Sequence, residues 1–576
     1  MKKKITAIIA AVCAAAIVGC GTGGSLSDPY GGSDTDSSLA ESGIMESSSD
    51  VSSPREDDTI SQIVPIIPAD TESVAALEDF RSFLNWEEDT NDGKVYNIFC
   101  GDEEFMKIVA RYCDAYEPLN ELGNESDNRS GDEFGNQSES TAGDSADAAS
   151  ENSETYGGDY SETVYYGRIG SAEVRWIICH EIGERYLTDL DLSLLDESDP
   201  NNVTDLYIVD AADVQKYVDP EVQAAMPLIR DAGLPTSDLS AQYAYTKVMG
   251  SGDDGIQRAV SYGISPGVFM YDRKAAAEVL GSDDPAVVQE GIADWEVFEA
   301  TAAKAGEKGL AMLSDWTNSF DAFAVGISGD WLTETGGVRI DSALRAWTDQ
   351  SELFIEKGYF SGGEKPVFGT FITADEIMEL ALSAEESDLK GKYGICVGPA
   401  GWYRGGSFIV VNSLCDQRSL TKKLLEEIVF DRNVQRALKA EGIIPNSRVV
   451  LPEKIEDHDD GSPLNDQGRG DEESGISDAA ESDSGTEEAD VADTAEPDDR
   501  PRAMEAVREF LGGQDPYPVF AGAADNVVLG NVSVFDKYLC DMYGREFAAY
   551  FSGEKDRDAA MRVFYTEVSD LISEED

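Results

Sequence analysis

Three stretches of this chain cannot fold by themselves, and they constrain what the rest can be. Residues 21–60 hold 9 acidic residues and 1 basic, residues 120–162 hold 12 and 1, and residues 456–500 hold 18 and 2. They consist largely of Ser, Gly, Asp and Glu, with few large apolar side chains. Such segments bury too little surface to offset the entropy lost on ordering, so they are expected to be disordered. Calcium buffering would require an ordered loop, and the chain carries no D-x-D-x-D-G pattern. Together the three stretches carry half of the net charge of −70. That field repels phosphate backbones, and the only Lys/Arg run is Lys2–Lys4, which argues against nucleic-acid binding. What remains of the 576 residues is too long for one hydrophobic core, so two lobes are expected.

The N-terminus reads as an address. Lys2, Lys3 and Lys4 precede a short apolar run from Ile5 to Val18, which has the layout of a secretory signal. About 20 apolar residues are needed to span a bilayer, and this run falls short. It ends in Ile17-Val18-Gly19-Cys20, which resembles the bacterial lipobox. That likeness implies a diacylated (palmitate-type) Cys20 as the mature N-terminus, where two acyl chains anchor stably and one would not. The organisation expected is a lipoprotein signal peptide at 1–20, a disordered tether at 21–85 and a bilobal domain at 86–576, interrupted by the inserts at 120–162 and 456–500. The protein is then placed on the outer face of the cytoplasmic membrane, extracellular or periplasmic. Of the remaining cysteines, Cys100 and Cys113 could pair, although all six read equally well as small buried apolar residues.

Within the folded part, Lys94–Cys100, Val174–Cys179 and Asp205–Asp210 read as strands, and the segments after the first and third read as helices. This alternation predicts an α/β lobe with a mainly parallel sheet. The segment 259–272 reads as two strand segments broken at Pro266-Gly267. Lys274–Leu280 and Pro285–Gly291 read as helices, the second with Pro at its first position. Trp295, Phe298 and Ala302 then form a core stripe. Gly398–Gly406 reads as a glycine-rich loop between strands 393–397 and 407–411. Leu420–Ala440 reads as one amphipathic helix, and three further helices close the C-terminal part.

Catalytic signatures are weak. Gly250-Ser-Gly-Asp-Asp-Gly255 matches G-x-G-x-x-G but places two carboxylates where a pyrophosphate would lie. Ser419-Leu-Thr-Lys422 lacks a K-T-G partner and is better explained by helix capping. Only His180 and His458 occur, which removes most zinc and His-based schemes. The chain is therefore read as a non-enzyme, with no metal and no cofactor.

Several strings in order resemble the extracellular solute-binding proteins of ABC importers, especially the carbohydrate-binding group that includes maltose-binding protein. They are Tyr207-Ile-Val-Asp-Ala-Ala212, Val260–Arg273, Val279–Pro285, Ala293–Phe298, Gly398–Gly406 and Phe510–Gln514. The resemblance implies a two-lobed periplasmic-binding-protein-like fold (class II type) with hinge strands, the hinge including Ser261–Pro266, and a helical C-terminus. It implies a monomer that clamps a sugar or sugar-like solute between its lobes and delivers it to the ABC permease membrane subunits. Aromatic rings would stack on the sugar while carboxylates and amides bond its hydroxyls. Asp102, Glu103, Asp210, Tyr262, Trp316, Trp331, Asp375, Trp402, Tyr403 and Arg404 are the candidate ligand-binding residues. At Asp102, Asp375 and Arg404 relatives often carry Trp nearby. Either the pocket suits a more polar or charged solute, with Arg404 facing an anion and Asp375 a cation, or the chain is a ligand-free surface scaffold or sensor partner.

Overall fold

The computed structural model describes residues 95–119, 163–195, 202–453 and 500–575, apart from short breaks at 114, 181–182, 328–330, 332, 334–336, 384–388 and 531. The signal peptide, Cys20, the tether and the two acidic inserts lie outside the described residues.

One sheet of nine strands organises the chain. In sequence order they are β1 (Val95–Cys100), β2 (Tyr116–Pro118), β3 (Thr163–Ile169), β4 (Ala172–Ile178), β5 (Leu206–Asp210), β6 (Ala259–Asp272), β7 (Gly369–Thr373), β8 (Tyr393–Cys396) and β9 (Trp402–Val411). Their spatial order is β2-β3-β4-β1-β5-β9-β6-β7, with β8 also paired to β6. Only β4-β1 and β1-β5 run parallel. The remaining pairings are antiparallel, so the mainly parallel sheet expected from the sequence is corrected to a mixed one. The reason is non-local: β9 arrives late in the chain and inserts antiparallel between β5 and β6.

β6 and β9 link the two sides of this sheet. The first residues of β6 pair with the end of β9 beside β5, whereas its last residues pair with β7 and β8. β6 is one strand of 14 residues and not two, buried along nearly its whole length. Pro266 has no N–H to give to a ladder, and the strand tolerates it because the β6–β9 register shifts between Ile264 and Pro266, with another shift between Ser261 and Gly263. Opposite this irregular stretch, Gly405 and Gly406 have φ of 82° and 115°, a backbone region in which a side chain would be strained. The proposed loop Gly398–Gly406 is thus half strand, since β9 begins at Trp402.

Helices cover both sides, and many begin on an aspartate. The side chains of Asp272, Asp284, Asp294, Asp341 and Asp431 each accept a backbone N–H of the following first turn at 2.7–2.9 Å. The cap at Asp431 explains why 420–440 is not one helix: Arg418–Leu425 passes through a π-turn at Glu426–Phe430, and Arg432–Ala440 restarts on Asp431. On the β1–β5 side, Tyr96 of β1 and Trp176 of β4 pack with Phe105 of the helix Glu104–Tyr112 into a core. On the β7–β8 side Phe269, Phe298, Phe371 and Trp402 form another. A third core, around Trp347, Tyr543 and Phe564, joins the helices Ser342–Lys357, Asp536–Phe551 and Arg557–Glu575. Cys100, Cys113, Cys179, Cys396, Cys415 and Cys540 are all buried thiols outside any disulfide, so Cys100 and Cys113 do not pair.

Candidate ligand site

Strand ends supply the polar groups on the β1–β5 side. At the C-terminal end of β5 the Asp210 carboxylate accepts the Ala212 N–H at 2.8 Å, and the Ala211 N–H is held by the Gly406 carbonyl of β9 at 2.8 Å. This turn fixes Asp210 outside the carboxyl edge of the parallel strands, where open α/β sheets bind ligands. Asp213 follows at the entrance of the helix Val214–Val218 without capping it through its side chain.

On the β7–β8 side a capping box does the positioning. β7 ends at Thr373, whose N–H and hydroxyl are bonded to the Glu376 carboxylate at 2.8 and 3.1 Å, so Thr373-Ala-Asp-Glu376 opens the helix Ala374–Ser383. Asp375 is thereby held in the first turn, facing the crossing of β6 and β9. A side-chain carbon added at Gly405 would stand 3.7 Å from Cβ of Ser265 and 3.9 Å from the Asp210 carboxylate. Ser265 in turn lies beside Asp375. Two carboxylates from opposite sides of the sheet thus flank one bare stretch of hinge backbone.

Asp210 and Asp375 are reached by solvent yet have protein packed around them. Burial raises the Asp210 carboxyl above the ordinary range. Asp375 is raised by burial and by the charges of Glu379, Glu376 and Asp210, against the pull of Ser265. Asp213 is pushed up to about 6, by burial and then by Asp210. Lys537, on the helix Asp536–Phe551, faces this group: burial works to lower its ammonium, and Asp541, Asp213 and Asp210 together outweigh it.

Aromatic surface comes from Tyr403, half-buried and stacked on Tyr245 with ring centres 5.0 Å apart and planes 30° apart. Arg404 does not stand free to meet an anion. Its guanidinium donates to Asp321 at 2.7 Å and to Glu376 at 2.8 Å, and it lies 5.7 Å from the centre of the Trp402 ring.

Of the residues singled out from the sequence, the structure brings Asp210, Asp375, Tyr403 and Arg404 together. Asp102 and Glu103 sit at the end of β1, where Asp102 accepts the Glu104 N–H at 2.8 Å and Glu103 accepts the Tyr165 hydroxyl at 2.6 Å. Tyr262 is buried with its ring centre 5.4 Å from that of Phe105. The three tryptophans are packed. Trp402 lies in the β7–β8 core; Trp331 is buried among the C-terminal helices and donates to Asp536 at 2.6 Å; Trp316 is half-buried against Phe551. Asp213, Tyr245, Asp321, Glu376 and Lys537 were not singled out. The T-x-x-E box at 373–376 was a signal that could have drawn attention to Glu376, whereas Lys537 is brought to Asp210 only by the tertiary fold.

No protein-family model matches the chain, and no curated protein matches it in sequence. Solved structures do match it. A crystal structure described as extracellular solute-binding protein family 1 superposes with a TM-score of 0.51 at 15% identity, covering 70% of this chain and 93% of that one. The sugar-binding protein MalE from Xanthomonas citri gives 0.47 at 14% identity, over 70% of this chain and 90% of that one. The ABC transporter associated binding protein from B. animalis subsp. lactis Bl-04, in complex with beta-1,6-galactobiose, gives 0.45 at 13% identity, over 84% and 98%. The first of these carries the fold assignment: the chain has the two-lobed α/β architecture of the periplasmic-binding-protein type.

Proposed function

Starting from that fold, we propose that the protein is a solute-binding component of an ABC importer, taking a sugar or sugar-like solute between its two lobes. The observation that carries this reading is the convergence of Asp210, Asp375 and the Tyr245–Tyr403 stack, contributed from both sides, on the β6–β9 crossing. Carboxylates accept from sugar hydroxyls and a tyrosine ring covers an apolar sugar face. Closure about the shifted register and the two glycines would bring these groups onto one solute and present a closed surface to the permease. The role is binding and not catalysis, and the protein acts as a monomer. Cys20 would carry the diacyl anchor that holds it to the outer face of the cytoplasmic membrane, which palmitate labelling lost in Cys20→Ser would support. In favour of a ligand-free scaffold stands the packing of Trp316, Trp331 and Trp402, which leaves the cleft without a tryptophan platform from among them.

The experiment is thermal unfolding of the full-length chain against mono- and oligosaccharides, sugar acids, amino acids and peptides. A ligand that binds only the folded state stabilises it by about 2.7 kcal/mol at a hundredfold excess over Kd. A shift with a saccharide class supports the receptor. A flat response across the panel refutes it in favour of the scaffold.

A further inference from the structure

The charge around the hinge says more about the solute than its being sugar-like. Asp210 and Asp375 come from opposite lobes and sense each other's charge. The cations set against this group are already engaged. Arg404 is shared by Asp321 and Glu376, and Lys537 by Asp541, Asp213 and Asp210. A solute carboxylate or phosphate entering here would meet carboxylates in excess, and its natural partner, Arg404, would first have to leave two of them.

An independent observation points the same way. Tyr245 is 2% exposed, and its buried hydroxyl has no hydrogen-bond partner among the described residues. It lies within electrostatic reach of Asp375 and of Tyr403, on which its ring is stacked. A buried hydroxyl without a partner is costly, and a donor arriving from the solute would satisfy its lone pairs. An ammonium has three N–H donors and no acceptor, which suits two carboxylates and a phenol oxygen.

From this we infer that the cleft holds a protonated amine of its solute between Asp210 and Asp375, so that the sugar it takes is an amino sugar with a free amine. The inference rests on the proposed solute-binding function. Asp210 and Asp375 each supply a charge-assisted acceptor, one from each lobe, so the amine bridges the lobes and favours the closed form. The bare backbone at Gly405 leaves the space in which it sits. Tyr403 covers the ring that bears it.

The test measures binding by calorimetry to the full-length chain. The probes are glucosamine and its oligomers, their N-acetylated counterparts, the neutral parent sugars and glucuronate. The free-amine sugars should bind about tenfold or more tightly than the N-acetylated and neutral ones, with glucuronate weakest. Asp375→Asn and Asp210→Asn should each erase most of that preference, weakening the free-amine sugars by a much larger factor than the neutral ones. If a neutral sugar or glucuronate binds as tightly as its amine, or if both variants keep the amine preference, the inference is overturned and the solute-binding function stands. If no saccharide of any charge binds, the function and the inference fall together.

Discussion

Asp213 offers a direct test of the electrostatics of the cleft. It is partly buried, its side chain does not cap the helix it precedes, and its carboxyl is pushed up to about 6 from an ordinary 3.8, by burial and then by Asp210. Between those two values the folded protein binds the proton and the unfolded chain does not. The stabilisation from this group is therefore fully present below about pH 3.8 and is lost as pH rises through about 6. At neutral pH the charged form costs the folded state at most about 3 kcal/mol, from about two units at 1.36 kcal/mol each. Solvent screening of a partly exposed group reduces that to about 1–2 kcal/mol. Asp213→Asn keeps the shape and removes the charge. It should raise the melting temperature at pH 7.5 by about 1–3 °C for a folded part of this size, with the gain shrinking to nothing near pH 4. Scanning calorimetry of the full-length protein and the variant across that range reads the difference directly. Equal stabilisation at both ends of the range, or destabilisation at pH 7.5, would refute the reasoning.

Two further outcomes follow from packing. A side-chain carbon at Gly267 would land within the ring of Trp402, so Gly267→Ala should destabilise by about 2–3 kcal/mol, read as a lower denaturation midpoint; an unchanged midpoint would refute this. Cys100, Cys113, Cys179, Cys396, Cys415 and Cys540 should resist a thiol reagent in the native protein and react after unfolding, which mass mapping of labelled peptides checks.

Local chemistry in the sequence was a good guide wherever the controlling contacts are local. Val95–Cys100 and Leu206–Asp210 appear as strands within a residue of the expected bounds, and Pro285 opens its helix behind the Asp284 cap. The errors are non-local. Pro266 looks like a strand breaker until the shifted partner β9 is known, and 420–440 looks continuous until Asp431 is seen to turn the backbone and cap a second helix. Strand direction depended on β9 as well, since nothing between 206 and 272 announces a strand that intervenes from residue 402 onward. At the candidate site, Asp210 and Asp375 were singled out through the resemblance, because carboxylates at strand ends and helix starts commonly serve as caps, as Asp272 and Asp431 do. The tryptophans were not legible, because an indole has the same sequence appearance whether it faces a cleft, as a sugar platform would, or a core, as Trp402 does.

The interleaving of β6 and β9 also dictates the order in which the molecule can be completed. β6 is made early, but the strand that seats it against β5 exists only after residues 273–401 have been synthesised. Until then neither side of the sheet is finished, and the buried faces of both remain open to wrong partners. A chain stopped before residue 402 should consequently be left with two half-built lobes rather than one sound lobe, so that the protein is made whole or not at all.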